Sequence, residues 1–506
     1  MPPICHAKPA SYRLILLFAL TFPFLAHAES PTWEMPLRTS LDQMAATLTA
    51  TLKPWPIPDR IFRVSEFGSV GDGTTLTTVA LQKAIDACSA AGGGVVLVEK
   101  GTYLTGTLDL KNGVMLEIAK DAKLIGSTNF ADYPPRVPVH QTVMDTWMKL
   151  TQSLIYAENC DRIGIRGAGT IDGQGTITNF PGKNDIGAMP NRPFLIRMVE
   201  CRNVVMDGIT LKDAASWMQN YLNCDNLIFQ GVRVENLANW NNDAFDIDGC
   251  HNVIMRDCSS VSVDDGLCFK GAGLRTMENV LVENSQFRTP CNAIKFGTDS
   301  QGSFRNVLIR NVTIGGPPAL TLHKRKQAIS GISLQSVDGG TVENILMHDI
   351  RIDHAESAFC LRLGDRGRVK PDMSKPAPGA IRRVILEKIT GTNLDQRGSI
   401  ISGIPGAIIE DVIFRTITLA TAGGGTVKDA NRDVPELINV YPDAFSFGKT
   451  VPAYGFWIRH AKNITFDQVA VTTEKADARQ AFVIGADTAG IRLNDENTST
   501  TPDRKK

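Results

Sequence analysis

Short apolar alternations, each opened by an asparagine, recur along the middle of this chain. The phrase reads Arg202-Asn203-Val204-Val205-Met206, then Asp225-Asn226-Leu227-Ile228-Phe229 and His251-Asn252-Val253-Ile254-Met255. It continues as Glu278-Asn279-Val280-Leu281-Val282, Arg305-Asn306-Val307-Leu308-Ile309 and Glu343-Asn344-Ile345-Leu346-Met347, with a late copy at Lys462-Asn463-Ile464-Thr465-Phe466. The first six asparagines step by 23, 26, 27, 27 and 38 residues. A second β-rich run follows, such as Val232-Arg233-Val234 or Val312-Thr313-Ile314. Runs this short, bounded by Gly, Asn or Asp, predict strands. Several strands per period predict an all-β fold, a parallel β-solenoid with one turn of coil per repeat and turns stacked about 4.8 Å apart. The recurrent Asn fits a turn between strands, where it tolerates left-handed backbone and its amide can pair with the Asn of the next coil. It is therefore read as a structural ladder.

Ahead of the repeats the period changes. Thr77 to Ala91 carries Ala80, Leu81, Ala84, Ile85 and Cys88 at helical spacing and stops at Gly92-Gly93-Gly94, which predicts a short helix capping the open end of the first coil. The extreme N-terminus has an apolar run from Leu14 to Leu25 behind Arg13, then Ala26-His27-Ala28. That is the pattern of an export signal, and the run is too short to span a bilayer as a helix. The chain accordingly divides into 1–28, a signal peptide; 29–95, an N-terminal segment with the capping helix; 96–486, the β-helix; and 487–506, a loose polar tail. A secreted or periplasmic location follows from the signal.

Composition narrows the partners. Lys plus Arg and Asp plus Glu are each 53, so the formal net charge is zero, which argues against a nucleic-acid or polybasic membrane-binding role. Of ten Cys, Cys5 leaves with the signal. The odd number remaining leaves at least one thiol unpaired. Cys201, Cys224 and Cys250 each stand two residues before a ladder Asn, so they stack at equivalent positions. No CxxC or HxxxH spacing points to a metal, and no cofactor motif is present.

Phe67-Gly68-Ser69-Val70-Gly71-Asp72-Gly73 and Gly92-Gly93-Gly94-Val95-Val96-Leu97-Val98-Glu99-Lys100-Gly101-Thr102-Tyr103-Leu104 resemble the opening of pectin-degrading β-helix proteins. Asn241-Asn242-Asp243-Ala244-Phe245-Asp246 and Val263-Asp264-Asp265-Gly266 are similar to the Asn-Thr-Asp-Gly and paired-Asp motifs of glycoside hydrolase family 28, the polygalacturonases. The resemblance implies a right-handed, single-stranded parallel β-helix, an inverting mechanism and an acidic plant polysaccharide as substrate. Two motifs depart from the family. Asn292, in Cys291-Asn292-Ala293-Ile294-Lys295, stands where a His is expected. Gly331-Ile332-Ser333-Leu334-Gln335 stands where an Arg-x-Lys motif, which helps hold a galacturonate carboxylate, is expected.

The chemistry also follows from spacing. Asp243 precedes Asp264 and Asp265 by 21 and 22 residues, about one coil, which predicts three carboxyls on neighbouring turns. Inverting glycosidases separate acid and base by about 6.5–9.5 Å to admit a water. For adjacent Asp264 and Asp265 to share a cleft the backbone must bend, which Gly266 eases. Crowded carboxylates cannot all ionise, so one pKa rises and marks the general acid. The resemblance assigns Asp264 as proton donor, with Asp243 and Asp265 activating water. Asp246 and Asp248 read as structural. Asn241, Asn292, Lys295 and Arg362 are the candidate sugar contacts, Lys295 or Arg362 replacing the missing cation. In a regular strand, however, Lys295 has the parity of Ala293 and faces away from Asn292. Trp217 and Trp240 are candidates for stacking on sugar rings. Two alternatives remain open. One is a polysaccharide lyase, with the acids on Ca²⁺ and a Lys or Arg as base; the other is a non-catalytic glycan-binding β-helix.

Overall fold

The computed structural model describes residues 30–149, 151–182 and 191–494; the signal reading of 1–28 and the end of the tail lie outside them. The described residues wind into the expected parallel β-helix, whose strands belong to one 22-stranded and one 12-stranded sheet. A coil in the central region has three strands, as in Asp225–Gln230, Arg233–Asn236 and Phe245–Asp248. From Phe304 onward the first two fuse into one long strand, as in Phe304–Gly315 and Thr341–Asp353. Register is kept from coil to coil. Leu227 pairs with Val253, Val253 with Val280, Val280 with Val307 and Val307 with Ile345, all inside the tube. Each such buried side chain is worth about 1.5–3 kcal/mol relative to exposure.

The Asn ladder is present. Asn203, Asn226, Asn252, Asn279, Asn306 and Asn344 all have positive φ. The Asn203 amide donates to Asp161 at 2.7 Å, and each later amide donates to the Asn one coil earlier: Asn226 to Asn203 at 3.0 Å, Asn252 to Asn226 at 3.1 Å, Asn279 to Asn252 at 3.2 Å, Asn306 to Asn279 at 3.3 Å and Asn344 to Asn306 at 3.1 Å. Cys201, Cys224 and Cys250 stack as buried free thiols, and the backbone N–H of Cys201 points at the Cys224 sulfur, 3.4 Å away.

Two helices flank the tube. The second, α2 (Thr78–Ala90), buries Leu81, Ala84, Ile85 and Cys88 against the first coils, as its spacing predicts. The first, α1 (Glu34–Thr51), was not expected. Its Leu37, Leu41, Ala45 and Leu48 lie along the outside of the tube on Ile254, Leu281, Leu308, Leu346, Ile385 and Ile413. These six are the outward-facing middle residues of six successive coils. Eighteen residues of helix run about 27 Å and five coil steps about 24 Å, so the lengths match. Polar contacts fix both ends: Glu34 with Arg415, and Thr49 with Arg256. The expected loose tail is also in part structured, since Arg492–Leu493 pairs with Thr465–Phe466 and the Asp487 carboxylate accepts the His460 N–H at 3.1 Å.

Candidate active site

The Asn-rich turn before Phe245 is tied down by its own side chains. Asn242, fully buried, donates to the carbonyls of Ala214 and Ser216 at 2.8 and 2.6 Å. Asn236 accepts the Ala214 N–H at 2.9 Å and donates to the Asp243 carbonyl at 3.0 Å. Asn241 has left-handed backbone and accepts from the buried Arg192 at 2.8 Å. One coil on, the chain leaves the strand Ser259–Ser262 and kinks before Leu267–Gly271. The Ser262 and Thr289 hydroxyls both donate to the Asp264 carbonyl, and the Asp265 N–H donates to the Asp264 carboxylate at 2.9 Å. This clamp lets both aspartates leave the strand alternation. Gly266 is required for a different reason than expected: a Cβ there would lie 2.7 Å from the Ala293 carbonyl oxygen of the next coil.

Asn241, Asp243, Asp264 and Asp265 thus line one small pocket with Trp217, Lys270, Lys295, Arg368 and Tyr441. It encloses about 60 Å³, space for a couple of waters. A depression of about 530 Å³ lies elsewhere, lined by Arg233, Ser259 and Arg288 among others; it is larger, but the converging acids are in the small one. Carboxylate oxygens of Asp243 and Asp265 lie within 4.8 Å of each other and of the Cys268 sulfur, and those of Asp264 and Asp265 lie equally close to each other and to the Cys291 sulfur. These nearest-oxygen approaches are shorter than the expected 6.5–9.5 Å gap. Asp243 and Asp265 come that near because their coils stack about 4.8 Å apart, whereas Asp264 and Asp265 are neighbours on one coil.

Two buried lysines set the electrostatics. Lys270 Nζ is 3.6 Å from Asp243 and 3.2 Å from Asp246, and sits 4.3 Å from the Trp217 ring centre. Lys295 Nζ is 3.0 Å from Asp265 Oδ2 and 3.4 Å from Asp443. Burial drives the Asp264 carboxyl above its usual range, and the neighbouring Asp265 charge adds to it. Burial would raise Asp265 too, but Lys295, Lys270 and the Asn292 amide outweigh it and hold Asp265 below the usual range. Asp243 is pushed well up by burial and by Asp246 and Asp264. Burial works against charge on both lysines; Asp246 and Asp243 around Lys270, and Asp265 and Asp443 around Lys295, prevail and keep both well above the ordinary lysine range.

Three sequence expectations need correction. Asn292 is fully buried and does not line the pocket; its N–H and Nδ2 both donate to Asp265 Oδ1, at 3.1 and 3.0 Å. Lys295 meets the same carboxylate despite its parity, because Ala293 and Ile294 are both in the core and regular alternation starts only after them. Arg362 is 1% exposed and does not reach the pocket. Its guanidinium donates to Ser402 Oγ at 2.8 Å and to the carbonyls of Glu436 and Leu437 at 2.9 and 2.8 Å, with the Phe447 ring beneath it at 4.9 Å. Of the tryptophans, Trp217 lines the pocket, whereas Trp240 packs edge-on against His323.

Tyr441 and Asp443 were missed. They ride on residues 424–452, an interruption between the strands Ile409–Gly423 and Ala453–Arg459. The corresponding connection one coil earlier takes only the few residues between Leu394 and Ser399. That excess length was the available signal.

Residues 88–431 match the family model described as Glycosyl hydrolases family 28. The chain belongs to that family. It is 28% identical over 313 residues to a "Probable polygalacturonase" of Vitis vinifera, covering 59% of this chain and 56% of that protein. Over 157 residues it is 36% identical to an "Exo-poly-alpha-D-galacturonosidase" of Dickeya chrysanthemi, covering 29% of this chain and 24% of that one. The chain therefore spans just over half of the grape protein's length and about a quarter of the Dickeya protein's. Among solved structures it is similar to the hyperthermoactive exopolygalacturonase from Thermotoga maritima, with TM-score 0.65, 19% identity and coverage of 84% of this chain and 96% of that one. The likeness is one of fold, the right-handed β-helix.

Proposed function

We propose that this chain is an exported glycoside hydrolase that cleaves glycosidic bonds in pectic, galacturonate-containing polysaccharide. The observation that carries the reading is the convergence of Asp243, Asp264 and Asp265 from neighbouring coils into one pocket, with Asp264 and Asp265 shifted in opposite directions. Asp264, whose proton burial and the Asp265 charge hold more tightly than usual, donates to the leaving glycosidic oxygen. Asp265, kept ionised, takes a proton from a water that it holds together with Asp243. The water sits beside the Asp243–Asp265 pair and attacks the face opposite the leaving group; inversion of the anomeric centre is what the resemblance to the family implies. Lys295 and Arg368 line the pocket and offer the cationic contacts that the absent Arg-x-Lys motif would otherwise supply to a uronate carboxylate. Asn241 offers a hydrogen bond to a hydroxyl.

The lysines favour hydrolysis over elimination. A lyase needs a basic group able to lose its charge, and the acids around Lys270 and Lys295 hold both protonated. Residues 1–28 direct the protein out of the cytoplasm on this reading, and no helix among the described residues is long and apolar enough to cross a membrane. The test is incubation with defined pectic fragments and mass analysis of the products. New reducing ends bearing one added water support the reading; unsaturated products assign a lyase instead.

A further inference from the structure

We propose that Asp443 is a positioning residue for this reaction, reaching into the site from residues 424–452 to share Asn292 and Lys295 with Asp265. The inference rests on the reading of Asp265 as the base. The two carboxylates use the same two donors. Asn292 Nδ2 donates to Asp265 Oδ1 at 3.0 Å and to Asp443 Oδ2 at 3.2 Å. Lys295 Nζ lies 3.0 Å from Asp265 Oδ2 and 3.4 Å from Asp443 Oδ1. Both donors are almost wholly buried, as is Asp443 at 2% exposure. Without Asp443, Asn292 and Lys295 each lose one of the two carboxylates that hold them, and Asp265 alone is left to fix which way they point. Gln335 Nε2 steadies the arrangement by donating to Asp443 Oδ1 and to Ser333 Oγ, both at 2.7 Å.

The segment carrying Asp443 is held by buried arginines of the coils beneath it. Arg362, Ser402 and Arg459 are in register on three successive strands. Arg362 holds the carbonyls of Glu436 and Leu437, and Arg459 holds those of Val434 and Pro435 at 2.9 and 2.7 Å. Arg397 holds the Ala444 carbonyl, next to Asp443, at 3.2 Å. The segment is thus a rigid arm that completes the site from outside the regular coil.

The charges give the sign of the effect. Asp265 faces Lys295, Lys270, Asp264, Asp243 and Asp246. Asp443 faces Lys295, the Tyr441 phenol and the Cys291 and Cys360 thiols. Neutralising Asp443 removes one negative charge from this group and leaves Lys295 to Asp265 alone. The Asp265 carboxylate then binds its proton less tightly and becomes a weaker base.

The experiment compares Asp443→Asn and Asp443→Glu with wild type. In Asp443→Asn the acid limb of kcat/KM on a pectic oligosaccharide moves down by about one pH unit, and kcat falls roughly tenfold with KM little changed. In Asp443→Glu, which keeps the charge but displaces it, the limb stays and kcat falls. In parallel, carboxyl ¹³C titration of Asp-labelled protein, with the Asp265 signal identified by its loss in Asp265→Asn, reads the same midpoint without substrate. An unmoved limb and an unmoved Asp265 midpoint in Asp443→Asn overturn the proposal. Should that variant not fold, wild-type kcat in Asp443→Glu overturns it. If wild type releases no product from any pectic fragment, the hydrolase reading fails, and the carboxyl titration decides the positioning role independently.

Discussion

Asp264 and Asp265 are neighbours in sequence whose carboxyls shift in opposite directions, because burial and the Asp265 charge raise the first while Lys295, Lys270 and Asn292 hold the second down. Replacing either by Asn is expected to lower kcat by about 10²–10⁴-fold, the range for a lost general acid or base, with the fold unchanged by circular dichroism. The pH profile follows from the signs. On the proposed mechanism Asp265 acts ionised, so activity is expected to fall as pH drops through its lowered pKa, and Asp264 acts protonated, so activity is expected to fall as pH rises through its raised one. Lys295→Met removes the main attraction on Asp265, and its acid limb is expected to move to higher pH; a limb that stays or drops contradicts this account. The triad was legible because motif spacing equals coil length. Lys295 was legible as a candidate, but counting parity as if alternation ran unbroken through Ala293 and Ile294 set it on the face away from Asn292. Arg362 was misplaced because an Arg between apolar residues, Leu361 and Leu363, reads the same whether it faces a groove or a covering loop. Asp443 lies 151 residues beyond Asn292, and its only signal was the excess length of the segment that carries it.

At the scale of elements, the ladder phrase held a second message. The middle residues of that run in six successive coils, Ile254, Leu281, Leu308, Leu346, Ile385 and Ile413, face outward yet are apolar, which calls for a cover. The helix α1 is that cover, and its Leu37, Leu41, Ala45 and Leu48 keep helical spacing. Leu41→Ala at this fully buried position is expected to cost about 2–5 kcal/mol of stability, read as a lower midpoint in urea, while kcat stays near wild type because α1 touches no residue of the pocket. A cost below about 0.5 kcal/mol would mean that the helix only rests on the tube.

Across the whole molecule, stacking gives stability and also concentrates charge. Asp246 and Asp248 are buried in consecutive outward positions of one strand, and burial pushes each up to about 7. A carboxyl whose folded pKa exceeds its unfolded one binds a proton on folding, so its contribution is complete below about pH 4 and is lost as pH rises toward 7. Asp248→Asn removes that term. The melting temperature of wild type is therefore expected to decline relative to the variant between pH 4 and 7, and parallel curves would contradict the assignment. The central claim is that winding brings Asp243 of one coil beside the clamped Asp264–Asp265 pair of the next, and that the three form a hydrolytic site. Its most direct test is product analysis of wild type and Asp264→Asn on galacturonate oligosaccharides. The account predicts new reducing ends with water incorporated at an inverted anomeric carbon, abolished in the variant. Retained configuration, an unsaturated product, or an undiminished rate in Asp264→Asn would contradict it.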